Sequence, residues 1–130
     1  MTSNTGAFPA LHDAQFMLLT THRRDGSGVA TTVWFAQVGE RLYVTTMDGA
    51  GKAKRIRVGG RVTVAPSTVR GDVLGPAVDG QGRVLDRAEF ATAEAALRTK
   101  YPEYDEFTGR MAAQTDPNVR IFLEIRPAGE

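Results

Sequence analysis

The chain has 130 residues, 42% of them hydrophobic and 24% charged, which predicts one folded domain over residues 1–130 and excludes a two-domain enzyme with separate lobes. Its net charge of +1 gives no global field for nucleic acid or an anionic membrane, so we expect neither as a partner. The absence of cysteine excludes disulfides and thiolate metal sites. Because no signal-peptide pattern and no apolar run of about 20 residues is present, we expect a cytoplasmic protein.

The first part of the chain predicts strands joined by short turns. A turn cluster, Arg24 to Gly28, separates two runs rich in β-branched and aromatic residues and predicts a hairpin. The second run looks apolar on both faces. Asp48 and Gly49 are expected to cap a short helix that ends at Gly59. The predicted elements are strands over 15–23, 29–38 and 41–47 and a helix over 50–58.

The second part alternates strands with helices near the C-terminus. After Pro66, residues 67–74 are expected to continue extended, and Gly80 and Gly82 indicate a bulge or a close backbone approach within the next strand. The predicted elements are strands over 61–65, 77–85 and 119–125 and helices over 86–100 and 103–114. Strands joined mostly by short turns favour a mainly β fold, an antiparallel β-barrel with appended helices, over a parallel α/β sheet.

A strongly basic stretch is the most informative feature. From Gly49 to Gly71 the chain carries six basic residues and no acidic one. Lys52 falls in the first turn of a glycine-led helix, where free backbone N–H groups, the positive helix end and an ammonium together hold a phosphate. Arg55 lies on the same side of that helix, and further donors follow the next strand at Ser67, Thr68 and Arg70. The alternative is a solvated basic helix face.

Side chains for acid–base or metal chemistry are few. The glycine-led stretch is not a P-loop, because Thr46 replaces the first glycine and Ala53 replaces the serine or threonine that would hold magnesium. The two histidines, His12 and His22, are isolated in sequence and form neither a metal site nor a triad. We therefore predict no metal site and no catalytic side chain, and we expect a cofactor to carry any reaction.

Several motifs of the sequence resemble those of a known family. Motifs at 18–21, 25–26, 32–35, 42–44, 51–57 and 61–67 resemble those of the pyridoxamine 5'-phosphate oxidase-like (PPOX-like) split β-barrel flavoproteins. Their order and spacing are most similar to the branch that uses the deazaflavin coenzyme F420, the flavin/deazaflavin oxidoreductase group. The resemblance runs from Leu18 to Arg87 and implies a split β-barrel of the FMN-binding-protein-like type.

The resemblance also implies a homodimer with two cofactor sites at its interface. Lys52 and its helix would meet the cofactor phosphate, while one strand would lie along the isoalloxazine-type ring. Ala50 and Ala77 depart from the residues that relatives often carry. The candidate cofactor-binding residues are Lys52, Arg55, Thr31, Thr32, Val33, Trp34, Ser67, Thr68, Arg70 and Gly71.

These observations lead to one main hypothesis and two alternatives. The main hypothesis is an F420-dependent oxidoreductase that passes hydride from the reduced deazaflavin to a small unsaturated or conjugated substrate. An FMN-dependent oxidoreductase of the same fold is the first alternative. The second is a cofactor-binding or storage module without turnover, which the scarcity of acid–base side chains supports equally well.

Overall fold

The computed structural model describes residues 8–47, 51–108 and 120–128. All of its strands belong to one antiparallel sheet of seven strands, in the order β2-β1-β5-β6-β7-β4-β3. The elements are β1 (Phe16–His22), β2 (Gly28–Val33), β3 (Phe35–Val38), β4 (Arg41–Met47), α1 (Gly51–Val58), β5 (Arg61–Ser67), β6 (Val78–Val84), α2 (Phe90–Lys100) and β7 (Arg120–Pro127), with short 3-10 turns at Pro9–Leu11 and Arg87–Glu89. The predicted mainly β barrel with appended helices is confirmed.

The sheet curls because its two terminal strands are consecutive in the chain. β2 and β3 lie at opposite ends of the sheet, yet Trp34 is the one residue between them. The single strand predicted over 29–38 is therefore wrong. At the bend, the Tyr101 hydroxyl accepts a hydrogen bond from the Phe35 N–H at 3.0 Å and lies 3.0 Å from the Phe35 carbonyl, so these backbone groups are paired without a neighbouring strand.

Two hydrophobic clusters form the core. The barrel interior is one of them, and Ile56 anchors α1 to it. The other lies between the sheet and α2, where Ala93 and Leu97 face Tyr43 and Phe122. Because β7 packs on both sides, all residues from Ile121 to Ile125 are buried.

The segment after β5 turns where an extended chain was predicted. β5 runs through Pro66 to Ser67, and the N–H of Gly71 then bonds the Thr68 carbonyl at 3.0 Å. Gly71 has a φ of +93°, a conformation that glycine adopts without steric cost. The extended path over 67–74 is therefore wrong, because a tight turn reverses the chain there.

β6, at Val78–Val84, confirms the strand predicted over 77–85. It also shows whether a bulge or a close backbone approach explains its glycines. Its pairing with β5 and β7 is regular, so there is no bulge. Gly82 N–H donates to the Gly60 carbonyl at 2.6 Å, and a Cβ at Gly80 would lie 2.8 Å from Ile125 Cγ2. Close approach is therefore the reason for glycine at Gly80, whereas a Cβ at Gly82 would make only ordinary contacts of 3.5 Å or more.

The helices agree with prediction where they are described. The predicted helix over 86–100 begins as a 3-10 turn, and the Glu89 carboxylate accepts the Asp86 N–H at 3.1 Å. Residues 104–108 are helical, while the rest of the helix predicted to residue 114 lies outside the described residues, as do Asp48, Gly49 and Val119. Of the helices in the described ranges, none is long and apolar enough to cross a bilayer.

Candidate functional site

A partly buried lysine lies at the N-terminal end of α1, which we call the head of the helix. Ala53 and Ile56 are buried and hold the helix against β1 and β6, which leaves Lys52 half-buried in the first turn. Burial lowers the pKa of Lys52, and the positive charge of Arg55 lowers it further. A partly dehydrated ammonium interacts more strongly with an anion than a fully hydrated one.

Arg55 reaches the same end of the helix. Its Nε donates to Thr21 Oγ1 at 2.6 Å, and its guanidinium folds back so far that a Cβ at Gly51 would lie 2.8 Å from Nη1. Lys52 and Arg55 therefore meet at the head of α1, as their spacing predicts. We call these two residues the α1 cation pair.

A second group of predicted residues forms around the turn after β5. A Cβ at Gly71 would lie 3.3 Å from Thr32 Oγ1, so the turn packs directly on β2. Thr68 Oγ1 accepts hydrogen bonds from the N–H groups of Arg70 and Asp72 at 3.3 and 3.1 Å, and the side chain of Arg70 is exposed. We call Thr32, Ser67, Thr68, Arg70 and Gly71 the turn group.

The two groups lie on opposite faces of the sheet. Thr32 stands opposite Leu18 in the register and shares its face. Thr31, by contrast, stands opposite the fully buried Leu19 on the inner face, where Thr21 meets Arg55. Leu18 and Thr21 are three residues apart on β1, about 10 Å. The sequence-predicted residues therefore do not form one continuous side-chain surface within a protomer.

The inner-face residues of β2 offer little side-chain chemistry to a ligand. Val33 is buried opposite Met17. Thr31 Oγ1 is buried and has no hydrogen-bond partner among the described residues. β2 is also a terminal strand, so alternate backbone N–H and C=O groups face its free edge. Its contribution to a ring site would therefore come from Thr32 and the backbone edge.

Trp34 is held by the protein's own aromatic rings. Its indole stacks on Tyr101 with ring centroids 4.3 Å apart and on Phe107 at 4.1 Å, both close to parallel. Lys100 lies nearby, with its Nζ 3.4 Å from the Phe35 ring centroid, and burial lowers the pKa of Lys100 to about 8. Because Tyr101 and Phe107 both stack on the indole of Trp34, no ring face is left free to stack on a cofactor.

A cleft that the sequence did not reveal lies beside the C-terminal half of α1. Its volume is about 320 Å³. Lys54, Arg55 and Arg61 belong to the basic stretch seen in the sequence, but the β1–β2 hairpin adds basic residues from elsewhere in the chain. The lining residues are His22, Arg23, Arg24, Lys54, Arg55, Val58, Gly59, Gly60 and Arg61, and we call this feature the basic cleft.

Comparison with solved structures identifies the fold. The chain is similar to HutZ, the heme storage protein from Vibrio cholerae, with a TM-score of 0.67 and 13% identity over 91% of this chain and 84% of that one. It is similar to an F420 reductase at 0.58 and 20% identity, over 99% and 97% of the two chains. A FAD-binding protein from Mesorhizobium loti matches at 0.62 and 18% identity, over 92% and 83%.

No protein-family model matches the sequence, and neither does any curated protein. Identities between 13 and 20% for these structures establish the fold and nothing finer. The chain is a split β-barrel protein of PPOX-like fold, as the motifs between Leu18 and Arg87 predict. The same fold carries proteins described as a reductase, a FAD-binding protein and a heme storage protein.

Proposed function

We propose that this protein is an F420-dependent reductase that transfers hydride from the reduced deazaflavin to a small unsaturated or conjugated substrate. The observation that carries the proposal is the α1 cation pair. Lys52 is half-buried, Arg55 lies beside it, and no carboxylate in the described ranges forms an ion pair with either. Two neighbouring cations that form no ion pair with a carboxylate of the described residues, at the positive end of a helix, fit a phosphate.

The residues at this site fit the binding and orientation of a cofactor. Lys52 and the free N–H groups of the first turn of α1 would hold the phosphate. Arg55 would add a second cation, and its hydrogen bond to Thr21 fixes the guanidinium in place. Thr32 and the edge of β2 would lie along the ring, with Gly71 allowing the turn to approach. When bound, the deazaflavin supplies the hydride.

In this proposal, the side chains of the protein bind the cofactor and do not themselves react. Around the α1 cation pair and the turn group, the described residues supply hydroxyl groups and cations. The nearest carboxylate to the turn group, Asp72, accepts a weak hydrogen bond from the Thr68 hydroxyl at 3.4 Å. Binding, orientation and exclusion of water are therefore the roles we assign to the protein.

A homodimer would help to join the two groups of residues. An elongated cofactor could span the separation of about 10 Å along β1, but it must pass from one face of the sheet to the other. It could do so at the open edge of β2, or the partner protomer could complete the site. The resemblance to dimeric split-barrel flavoproteins supports the second arrangement.

A storage or carrier function is the competing proposal. The likeness to a heme storage protein favours it, together with the scarcity of acid–base side chains. Parallel binding titrations of the purified protein with F420, FMN, FAD and haem test both functions. Tight binding of haem and weak binding of F420 and FMN would overturn the reductase proposal.

We expect F420 to bind at least tenfold more tightly than FMN at low salt, a difference of about 1.4 kcal/mol. The deazaflavin carries an anionic glutamate tail beyond its phosphate, and Arg57, farther along α1 than Lys52 and Arg55, would supply positive charge for that extension. F420 binding should also weaken more steeply with added salt, because more exposed ion contacts are screened. Fluorescence titration at several salt concentrations measures both effects. Co-purification of FMN, or equal affinity and salt dependence, would transfer the assignment to FMN.

We expect the protein to be a dimer at micromolar concentration. Several large apolar side chains in and after the turn that follows β5 are exposed, among them Val69, Val73 and Leu74, and a second copy would cover such a surface. Light scattering should give twice the chain mass of 14.1 kDa. A monomer under these conditions would remove the proposed interfacial site.

A further inference from the structure

The basic cleft concentrates positive charge without an internal counter-charge. Five cationic side chains line it, and none of its described lining residues is acidic. They are Arg23, Arg24, Lys54, Arg55 and Arg61. The nearby carboxylate of Asp25 is engaged within its own turn, where it accepts the N–H and hydroxyl of Ser27 at 2.9 and 2.7 Å. Because the Arg55 guanidinium turns toward Gly51, the charges of the other four cations converge here, and a bound anion would relieve their mutual repulsion.

The cations come from three separate elements. The β1–β2 hairpin contributes Arg23 and Arg24, α1 contributes Lys54, and Arg61 opens β5. The C-terminal end of a helix favours nearby cations, but this accounts for charges on α1 rather than for those that the hairpin brings. The backbone of Gly60, held by the Gly82 N–H at 2.6 Å, fixes the start of β5 against the cleft.

A histidine nitrogen at the cleft lacks a partner. His22 lines the cleft, and its Nε2 is buried with no hydrogen-bond partner among the described residues. A buried polar atom without a partner is unfavourable by about 1–3 kcal/mol. An anion bound in the cleft would lie against the His22 side chain and change the surroundings of its ring.

The walls of the cleft limit the kind of anion that fits. Val58 lines it with 74% of its surface exposed, and a Cβ at Gly59 would meet nothing within 4 Å. A volume of about 320 Å³ matches a small organic molecule rather than a polymer chain. The stems of Lys54 and Arg61 extend this apolar wall beneath their charged ends.

We propose that the basic cleft is a second anion site, which binds a small organic molecule carrying two negative charges, as phosphate or carboxylate, on an apolar body. Its position beside the C-terminal half of α1 separates it from the α1 cation pair at the head of the helix. Arg55 contributes to both features, its stem lying along the cleft and its guanidinium reaching Gly51. This site does not depend on the identity of the cofactor.

The side chain of His22 provides a local reporter for the test. Phenyl phosphate and phthalate are titrated separately into ¹⁵N-labelled protein while the ring nitrogen resonances of the two histidines are followed by NMR. We expect saturable shifts of His22 and none of His12, which is exposed near the N-terminus. Comparison of the two probes distinguishes phosphate from carboxylate. The proposal is overturned if neither probe shifts His22.

Matched charge reversals locate the site. Arg61→Glu should weaken binding of the probe at least tenfold, whereas Arg87→Glu, at an exposed arginine outside the cleft, should change it less than twofold. Both variants alter the net charge equally, so equal weakening would mean a diffuse field and would contradict the proposal. Lys54→Glu on the exposed side of α1 gives a second variant if Arg61→Glu fails to fold, as judged by circular dichroism.

Two further measurements separate this inference from the proposed function. Lys52→Ala should leave the His22 titration unchanged, and a loss of the His22 response in that variant would place the anion at the head of α1 instead. Repeating the titration with saturating F420 distinguishes the source of the anion. Blocked His22 shifts assign the cleft to the cofactor's own anionic tail. Retained shifts assign it to a separate molecule. If neither F420 nor FMN binds while His22 still responds, the reductase proposal fails and the second anion site stands.

Discussion

Lys52→Ala is expected to weaken F420 binding about 10- to 150-fold, the loss of one charge-assisted contact worth on the order of 1.5 to 3 kcal/mol. Lys52 combines three features that favour a phosphate: it lies in the first turn of α1, it is half-buried, and Arg55 stands beside it. Burial, which lowers the pKa of Lys52, also reduces the screening of its charge by water.

Lys54→Ala is the matched control for this variant. Lys54 lies on the same helix and carries the same charge, but its side chain is exposed and faces the basic cleft. We expect a much smaller loss of F420 affinity from this change, and almost none for FMN, which ends at its phosphate. Titrations of both cofactors measure the four affinities. Equal losses from the two lysine changes would mean that the basic stretch acts as a diffuse field and holds no specific phosphate.

Elements with strong local signals are those that the sequence predicts well. β4 has its predicted bounds, Arg41 to Met47, and α1 ends before Gly59 as expected. In both cases the deciding information lies within about ten residues: a turn before the strand, and a glycine pair after the helix. Local pattern alone is enough to fix such elements.

The bend at Trp34 could not be predicted in this way. Residues 29–38 read as one uninterrupted strand, because nothing within them breaks the pattern of β-branched and aromatic residues. The group that pairs the backbone at the bend, the hydroxyl of Tyr101, lies 66 residues away from Phe35. The turn at Gly71 was missed for a related reason, since a φ of +93° is permitted by glycine but not required by it.

The candidate site was partly predictable from spacing. Residues three apart on a helix share a side, so the meeting of Lys52 and Arg55 follows from the sequence. The basic cleft does not, because the hairpin bearing Arg23 and Arg24 reaches α1 only through the sheet order. The alternation of a strand predicts that Thr31 and Thr32 face opposite ways, but which of them faces the barrel interior depends on the register with β1.

Tyr101→Phe is expected to destabilise the protein by about 3 kcal/mol, because it removes the hydroxyl that closes the barrel at the bend. That hydroxyl accepts from the Phe35 N–H at 3.0 Å and has one proton for two carbonyl oxygens, those of Gln15 at 2.6 Å and Phe35 at 3.0 Å. Burial raises the pKa of Tyr101 to about 12, so the hydroxyl keeps its proton at neutral pH. The substitution keeps the ring that stacks on Trp34 and leaves buried backbone groups without partners.

Tyr104→Phe is the control, since Tyr104 is equally buried and loses the same atom. Its hydroxyl bonds Glu94 Oε2 at 3.0 Å, and that half-buried carboxylate can turn to water when the bond is lost. We expect a loss below about 1 kcal/mol for this variant. Urea unfolding of both proteins at one concentration gives the two free energies and avoids the concentration dependence of a dimer. Similar losses in the two variants would mean that the bend at Trp34 is held by side-chain packing, and that the Tyr101 hydroxyl does not supply the pairing that a neighbouring strand would otherwise give.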